Sequence, residues 1–212
     1  MRCLIIAGGE VDRSFLRQIY DSMDDAYVIG ADKGVIYASE AGIKIDKAIG
    51  DFDSVSTEEK IRISELYDTE LLVPEKDDTD TEHALRYAMS KRPEEIIMMG
   101  CTGSRLDHTF SSVRILKSAC DEGISAYIQD KTNRIRVAKG EVRINKEDAF
   151  GKYISIIPYG DKAEGITLRG FKYPLENYTM PAERGLGISN EIIADEAYIY
   201  SDDHLIIMET ID

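Results

Sequence analysis

In the first 130 residues, apolar positions fall in short unbroken blocks, each followed by a segment with helical spacing. RCLIIAG (2–8) reads as a buried strand, and 12–23 has a helical pattern. AYVIGAD (26–32) predicts a second strand with a short helix around 33–41. KAIGD (47–51) ends a third strand, with a helix over 56–67, and ELLVP (70–74) is a fourth. Thr79 to Lys91 reads as a helix with Ala84, Leu85, Ala88 and Met89 on one side. EEIIMMG (94–100), a helix over 105–121, and ISAYIQD (124–130) complete the series. Alternation of this kind implies a mostly parallel sheet flanked by helices.

Beyond Asp130 the pattern changes. NRIRVAK, EVRI, YISIIPY, GITLRG, EIIADEAYIY and HLIIME are strand-like, separated by turn residues such as Gly140, Asn145, Gly160 and Gly170, and no long helical period remains. Antiparallel β, as a sandwich or barrel, is the expectation. The fold class expected is therefore α/β followed by all-β, with domains at 1–130 and 131–212. A β domain of this size is small for independent stability and is expected to pack on the first domain or on a second chain.

The polar motifs sit where strands end. Gly8-Gly9 follows the first strand, Asp32 the second, GDFDS (50–54) the third, Asp77-Asp78-Thr79-Asp80 the fourth, and Gly100 to Asp107 the fifth. Ligands of open parallel sheets bind beyond the carboxyl ends of the strands, so these motifs are expected on one rim. In an extended loop, Asp51 and Asp53 would point the same way and could face one cation. Mg²⁺ favours such carboxylate oxygens. Thr79 and Glu82 have capping-box spacing, and Asp80 in the first helical turn suits the helix dipole. Three aspartates within four residues still repel one another, which favours a cation nearby. In TGSRLDHTF, Ser104 and Asp107 again have capping spacing. A functional reading has Gly103 admitting a phosphate, Arg105 bonding its oxygens, and Asp107 joining the acidic group.

Charge narrows the partners. The net charge of −14 argues against nucleic acid or an anionic membrane. No apolar run approaches the ~20 residues of a membrane helix, and the start lacks the features of a signal peptide. Cys3, Cys101 and Cys120 form no paired metal motif and suit a reducing compartment. A cytoplasmic protein is expected. His83, His108 and His204 form no ligand set, and structural roles are expected for them.

ADKG (31–34), GDFDS (50–54), KDDTDTEHAL (76–85) and GCTGSRLDHTF (100–110), in that order, resemble the thiamine pyrophosphokinase family. GFKYPLENYTM (170–180) and GLGISNE (185–191) are similar to its C-terminal motifs. The resemblance spans nearly the whole chain. It implies a nucleotide-binding α/β domain, a C-terminal antiparallel β-sandwich, and a homodimer with active sites at the subunit interface. It implies transfer of the diphosphate of ATP, with Mg²⁺, to the thiamine hydroxyl. By resemblance, Asp51, Asp53 and Asp80 orient Mg²⁺ and diphosphate, with Asp107 as a fourth acidic member and Asp32 at the same rim. Lys76 and Arg105 look like ATP contacts, and Ser189 and Asn190 like contacts to the thiamine pyrimidine. The chain departs from the family in two places. Ser104 stands where many members have glycine, and there is no tryptophan, which leaves Tyr173 or Tyr178 to offer an aromatic face. A Mg²⁺-dependent aspartyl phosphatase and a ligand-sensing module are the rival readings.

Overall fold

Six parallel strands form the first sheet: β1 (Arg2–Ile6), β2 (Ala26–Ala31), β3 (Lys47–Gly50), β4 (Thr69–Leu71), β5 (Glu95–Met99) and β6 (Ser125–Gln129). They belong to a computed structural model that describes residues 1–53, 55–73, 78–103 and 105–212. The chain divides into two compact units, one of Met1–Ile115 with Asp121–Lys131, the other of Leu116–Cys120 with Thr132–Asp212.

In the first unit the strand order is β6-β5-β1-β2-β3-β4. The chain works outward from β1 to β4, then restarts at β5 on the other side of β1. The β1–β5 junction is thus a topological switch point, where a crevice opens beyond the carboxyl ends. Leu4, Ile6, Val28, Ala48, Ile97 and Met99 face one core. Their neighbours Ile5, Ile29, Ile49, Ile96 and Met98 are equally buried. Both faces are covered, which is why these strands read as unbroken apolar runs.

The helices are α1 (Arg13–Asp21), α2 (Gly34–Glu40), α3 (Thr57–Leu66), α4 (Asp80–Ser90) and α5 (Leu106–Asp121). Leu16 of α1, Val35 and Ala38 of α2, and Ile63 of α3 pack into the same core as Leu4 and Ile6. Asp12 caps α1 by accepting from the Phe15 N–H at 2.8 Å. Ser56 and Glu59 form a reciprocal capping box at α3. At α4, Thr79 Oγ1 accepts from the Glu82 N–H at 3.2 Å, the first half of the expected box. At Gly34 a Cβ would fall 1.7 Å from the Ile6 carbonyl oxygen. Only glycine lets α2 start hard against β1, and this sets the preceding Asp32 and Lys33 at the rim.

The second unit is antiparallel: β7 (Asn133–Asn145), β8 (Tyr153–Pro158), β9 (Lys162–Arg169), β10 (Leu175–Pro181), β11 (Asn190–Glu191) and β12 (Glu196–Thr210), with one 3-10 turn at Gly185–Gly187. Its core holds Ile154, Ile156, Ile166, Leu168, Ile199 and Ile207. Three expectations are corrected. NRIRVAK and EVRI form one strand, β7, which runs straight through Gly140. The end of EIIADEAYIY and HLIIME likewise form one strand, β12, which continues through Asp202 and Asp203. Between the pairs Ser201–Gly140 and Leu205–Ala138, β12 advances four residues while β7 advances two. The extra residues make a bulge that bends the strand without ending it. On one side of this bend β12 pairs with β9, and on the other with β8, as a strand does at a sandwich corner. Finally, β10 carries mostly exposed residues and so lacks the apolar signal by which strands were found.

Among the described residues no helix is long and apolar enough to cross a membrane.

Candidate active site

The loop after β3 is the centre of the site. Phe52 takes a left-handed conformation, φ +54°, while its ring is fully buried in the core. A bulky residue is strained there, and such strain is found mainly at functional loops. The turn is closed by the Asp53 N–H, which donates to Asp51 Oδ1 at 3.0 Å. The expected extended loop is therefore replaced by a tight turn. Asp51 and Asp53 still meet, because the buried ring of Phe52 forces its two neighbours toward the rim.

Asp32 joins them. It too is left-handed, φ +50°, and its N–H donates to the Ile49 carbonyl at 2.9 Å, which ties the end of β2 to β3. Carboxylate oxygens of Asp32, Asp51 and Asp53 all lie within 4.8 Å of one another, two of the residues half-buried and Asp53 exposed. Three carboxylates this close repel unless a cation lies among them.

These residues line a cleft of about 440 Å³ at the switch point. Gly8 and Gly9 enter it from β1, Lys33 from β2, Thr79, Asp80 and Thr81 from the start of α4, and Gly100, Cys101 and Thr102 from β5. The Gly9 N–H donates to the Gly100 carbonyl at 2.8 Å, which joins the two loops that flank the switch point. Thr102 Oγ1 donates to Asp130 at 2.8 Å. Gly103 is left-handed, φ +124°, and its missing Cβ would stand 2.9 Å from Glu10 Cβ, so the crossing of these two loops already requires the glycine. Burial pushes the Cys101 thiol up to about 12, so it stays protonated and is no nucleophile.

Arg105, His108, Thr109 and Ser112 complete the lining. Their spacing of three, four and seven residues is one helical face. Asp107 falls off that face. Instead its carboxylate meets the Arg105 guanidinium at 2.6 Å, with both side chains largely exposed. That hydrogen-bonded guanidinium holds the Asp107 carboxyl down at about 2, helped by the His108 N–H. Asp80 lines the cleft but lies outside the close carboxylate group.

Ser189 and Asn190 belong to the second unit. Ser189 is exposed and left-handed, φ +59°, and its N–H donates to Ser155 Oγ at 3.0 Å. Asn190 is buried, its amide bonded to the backbone of Tyr173. Tyr173 and Tyr178 are exposed. Lys76, Asp77 and Ser104, singled out in the sequence, lie outside the described residues. Of the described histidines, His83 pairs with Glu70 at 2.9 Å. Lys33, Thr81 and His108 were not among the candidate residues. Lys33 was within reach of the sequence as the third residue of ADKG, and His108 through its helical spacing from Arg105.

Family models match along the chain in the same order as the units. Residues 21–128 match the thiamin pyrophosphokinase catalytic domain, and residues 139–206 the thiamin pyrophosphokinase vitamin B1 binding domain. The thiamine pyrophosphokinase of Bacillus subtilis (strain 168) is 36% identical over 192 residues, covering 89% of this chain and 88% of that protein. The crystal structure of a Bacillus subtilis thiamine pyrophosphokinase superposes with a TM-score of 0.88 at 32% identity, each chain covered in full. That of the Geobacillus thermodenitrificans protein gives 0.86 at 31% identity, covering all of this chain and 98% of that one. With both family models matched and a relative this similar over most of its length, the chain belongs to the thiamine pyrophosphokinase family.

Proposed function

We propose that this chain transfers the diphosphate of ATP to the hydroxyl of thiamine, forming thiamine diphosphate and releasing AMP. The observation that carries this reading is the meeting of Asp32, Asp51 and Asp53 in a cleft that also holds Arg105, within a chain of this family. Three carboxylate oxygens within 4.8 Å fit a hard divalent cation. Mg²⁺ held there would neutralise phosphate charge and orient the diphosphate for displacement.

The chain's own groups do the rest by positioning and charge. Asp51 and Asp53, with Asp32, hold the cation. Arg105 makes forked bonds to phosphate oxygens once it leaves Asp107, and Lys33 adds charge at the same rim. We assign the hydroxyl proton to Asp80, which lines the cleft outside the close carboxylate group. The thiamine oxygen forms a bond to the β-phosphorus, the bond from that phosphorus to the α–β bridging oxygen breaks, and the bridging oxygen departs with AMP. Asp107 acts through Arg105.

We read the functional unit as a homodimer, each site taking ATP and Mg²⁺ from one subunit and thiamine contacts near Ser189 and Asn190 from the other. Exposed Tyr173, Tyr178, Leu186, Ile188 and Ile193 on the second unit supply apolar surface for a partner to cover. Cys3, Cys101 and Cys120, the first two buried, form no disulfide framework and suit a cytoplasmic setting.

The test is direct. With thiamine, ATP and Mg²⁺, the protein should release AMP and thiamine diphosphate in equal amounts. Release of ADP or inorganic phosphate instead, or a trapped phosphoaspartate, would defeat the reading.

A further inference from the structure

The Asp51–Asp53 turn is also held from outside the cleft. Lys60, half-buried in the first turns of α3, donates from its ammonium to the carbonyl oxygen of Asp51. Its place is fixed twice. The Ser56–Glu59 capping box sets where α3 begins, and the Lys60 N–H donates to the Ser56 carbonyl at 2.9 Å.

The Asp51 carbonyl belongs to the peptide that joins Asp51 to Phe52. Rotation of that peptide changes ψ of Asp51 and φ of Phe52 together. Phe52 is strained at φ +54°, so a flip of this peptide would bring relief. The flip would also turn Asp51 away from the Asp53 N–H, to which its Oδ1 is bonded. Both carboxylates would then lose their shared aim. A cation on the carbonyl makes a charge-assisted bond that opposes the flip. The residue whose carbonyl takes the ammonium, Asp51, is itself one of three carboxylates that repel one another.

We propose that Lys60 is a positioning residue that locks the Asp51–Phe52 peptide and so keeps Asp51 and Asp53 aimed at one cation. The inference rests on the reading that these carboxylates hold Mg²⁺.

The experiment measures Mn²⁺ binding to the nucleotide-free protein by electron paramagnetic resonance, alongside thermal unfolding and steady-state kinetics. Lys60→Met keeps the apolar stem and removes the donor. It should weaken Mn²⁺ about tenfold, or about 1.4 kcal/mol, and raise the Mg²⁺ needed for half-maximal rate. The thiamine KM at saturating Mg²⁺ and the melting temperature should be unchanged. Lys60→Arg should recover binding to within about threefold of wild type. Lys60→Gln, neutral but polar, should resemble Lys60→Met and serves if the methionine variant does not fold. Asp53→Asn is the control. If Asp53→Asn loses Mn²⁺ while the neutral Lys60 variants bind like wild type, the role of Lys60 is overturned and the metal reading stands. If Asp53→Asn binds like wild type, the metal reading itself fails. If the neutral variants lose Mn²⁺ only in proportion to a falling melting temperature, and thiamine KM rises too, Lys60 is a structural staple and the proposal is wrong.

Discussion

The side-chain amide of Asn190 closes a two-bond ring on the backbone of Tyr173: Oδ1 accepts from the Tyr173 N–H at 3.0 Å, and Nδ2 donates to the Tyr173 carbonyl at 2.8 Å. Oδ1 also accepts from the Glu191 N–H at 3.0 Å. A residue that the family resemblance marks as a thiamine contact therefore has its amide engaged in holding the 170s segment against β11. Asn190→Ala should cost about 1–2 kcal/mol in urea unfolding, because the part-buried Tyr173 N–H and carbonyl lose their partners. Asn190→Asp keeps the acceptor but sets a buried carboxylate against the Tyr173 carbonyl oxygen, and should cost at least as much. Both should raise the thiamine KM more than the ATP KM, since Ser189 and Tyr173 shift with the broken ring.

Activity and stability should move in opposite directions at the acidic group. Asp32→Asn, Asp51→Asn and Asp53→Asn should each lower kcat by roughly hundredfold or more. The metal-free protein should melt no lower, and in Asp32→Asn and Asp53→Asn somewhat higher, because one of three repelling charges is gone. Asp80→Asn should lower kcat yet leave Mn²⁺ affinity within about threefold. Equal loss of Mn²⁺ in all four variants would put Asp80 among the ligands and remove our assignment of the proton.

Asp107 separates two roles by its pH behaviour. Its carboxyl is held at about 2, below the ordinary 3.8, mainly by the hydrogen bond from Arg105. A depressed carboxyl contributes stability that is present above the ordinary value and lost as pH falls through about 2. Between pH 5 and 9 it stays ionised and should leave no mark on the rate profile. Carbonyl NMR titration of Asp107 should give a midpoint near 2 in wild type, rising toward 3.8 in Arg105→Ala. Arg105→Ala should weaken ATP use far more than thiamine binding, with Arg105→Lys a partial rescue. Asp107→Asn should keep most of kcat; a loss as large as that of Asp53→Asn would return Asp107 to the metal group.

Phe52 anchors the turn from inside. Phe52→Ala should destabilise by about 3–5 kcal/mol, as removal of a fully buried ring does. Phe52→Leu should restore much of the stability but less of the Mn²⁺ affinity, because the smaller side chain holds the strained turn less firmly.

Mixed dimers test the composite site. An Asp53→Asn chain and an Asn190→Asp chain, each weak alone, should recover up to about a quarter of wild-type activity after subunit exchange, since half the dimers carry one intact site of two. Mixed dimers that form but stay inactive would place the thiamine contacts and the aspartates on the same chain.

Much of this protein is legible in local pattern. Unbroken apolar runs such as RCLII and EIIMM could only be strands covered on both faces, and turn residues at their ends marked where chemistry would sit. Asp32, Asp51, Asp53, Asp80 and Arg105 were all expected on one rim, and all line one cleft. Position along the chain suffices there, because parallel strands put all their carboxyl ends on one side.

What the sequence does not carry is anything set by packing between distant segments. The placing of β5 beside β1, which opens the crevice, depends on how two apolar faces meet. The grouping of Asp32 with Asp51 and Asp53 depends on a left-handed, buried Phe52, and no pattern of residue types announces that conformation. Asp107 looked like another rim carboxylate by proximity in sequence, but helix geometry turned it to Arg105. Asn190 looked like a ligand contact, yet burial committed its amide to the backbone of Tyr173. Local propensity and periodicity act over a few residues, so they are written in the sequence. Aim, pairing and burial are settled only when segments far apart in the chain come into contact.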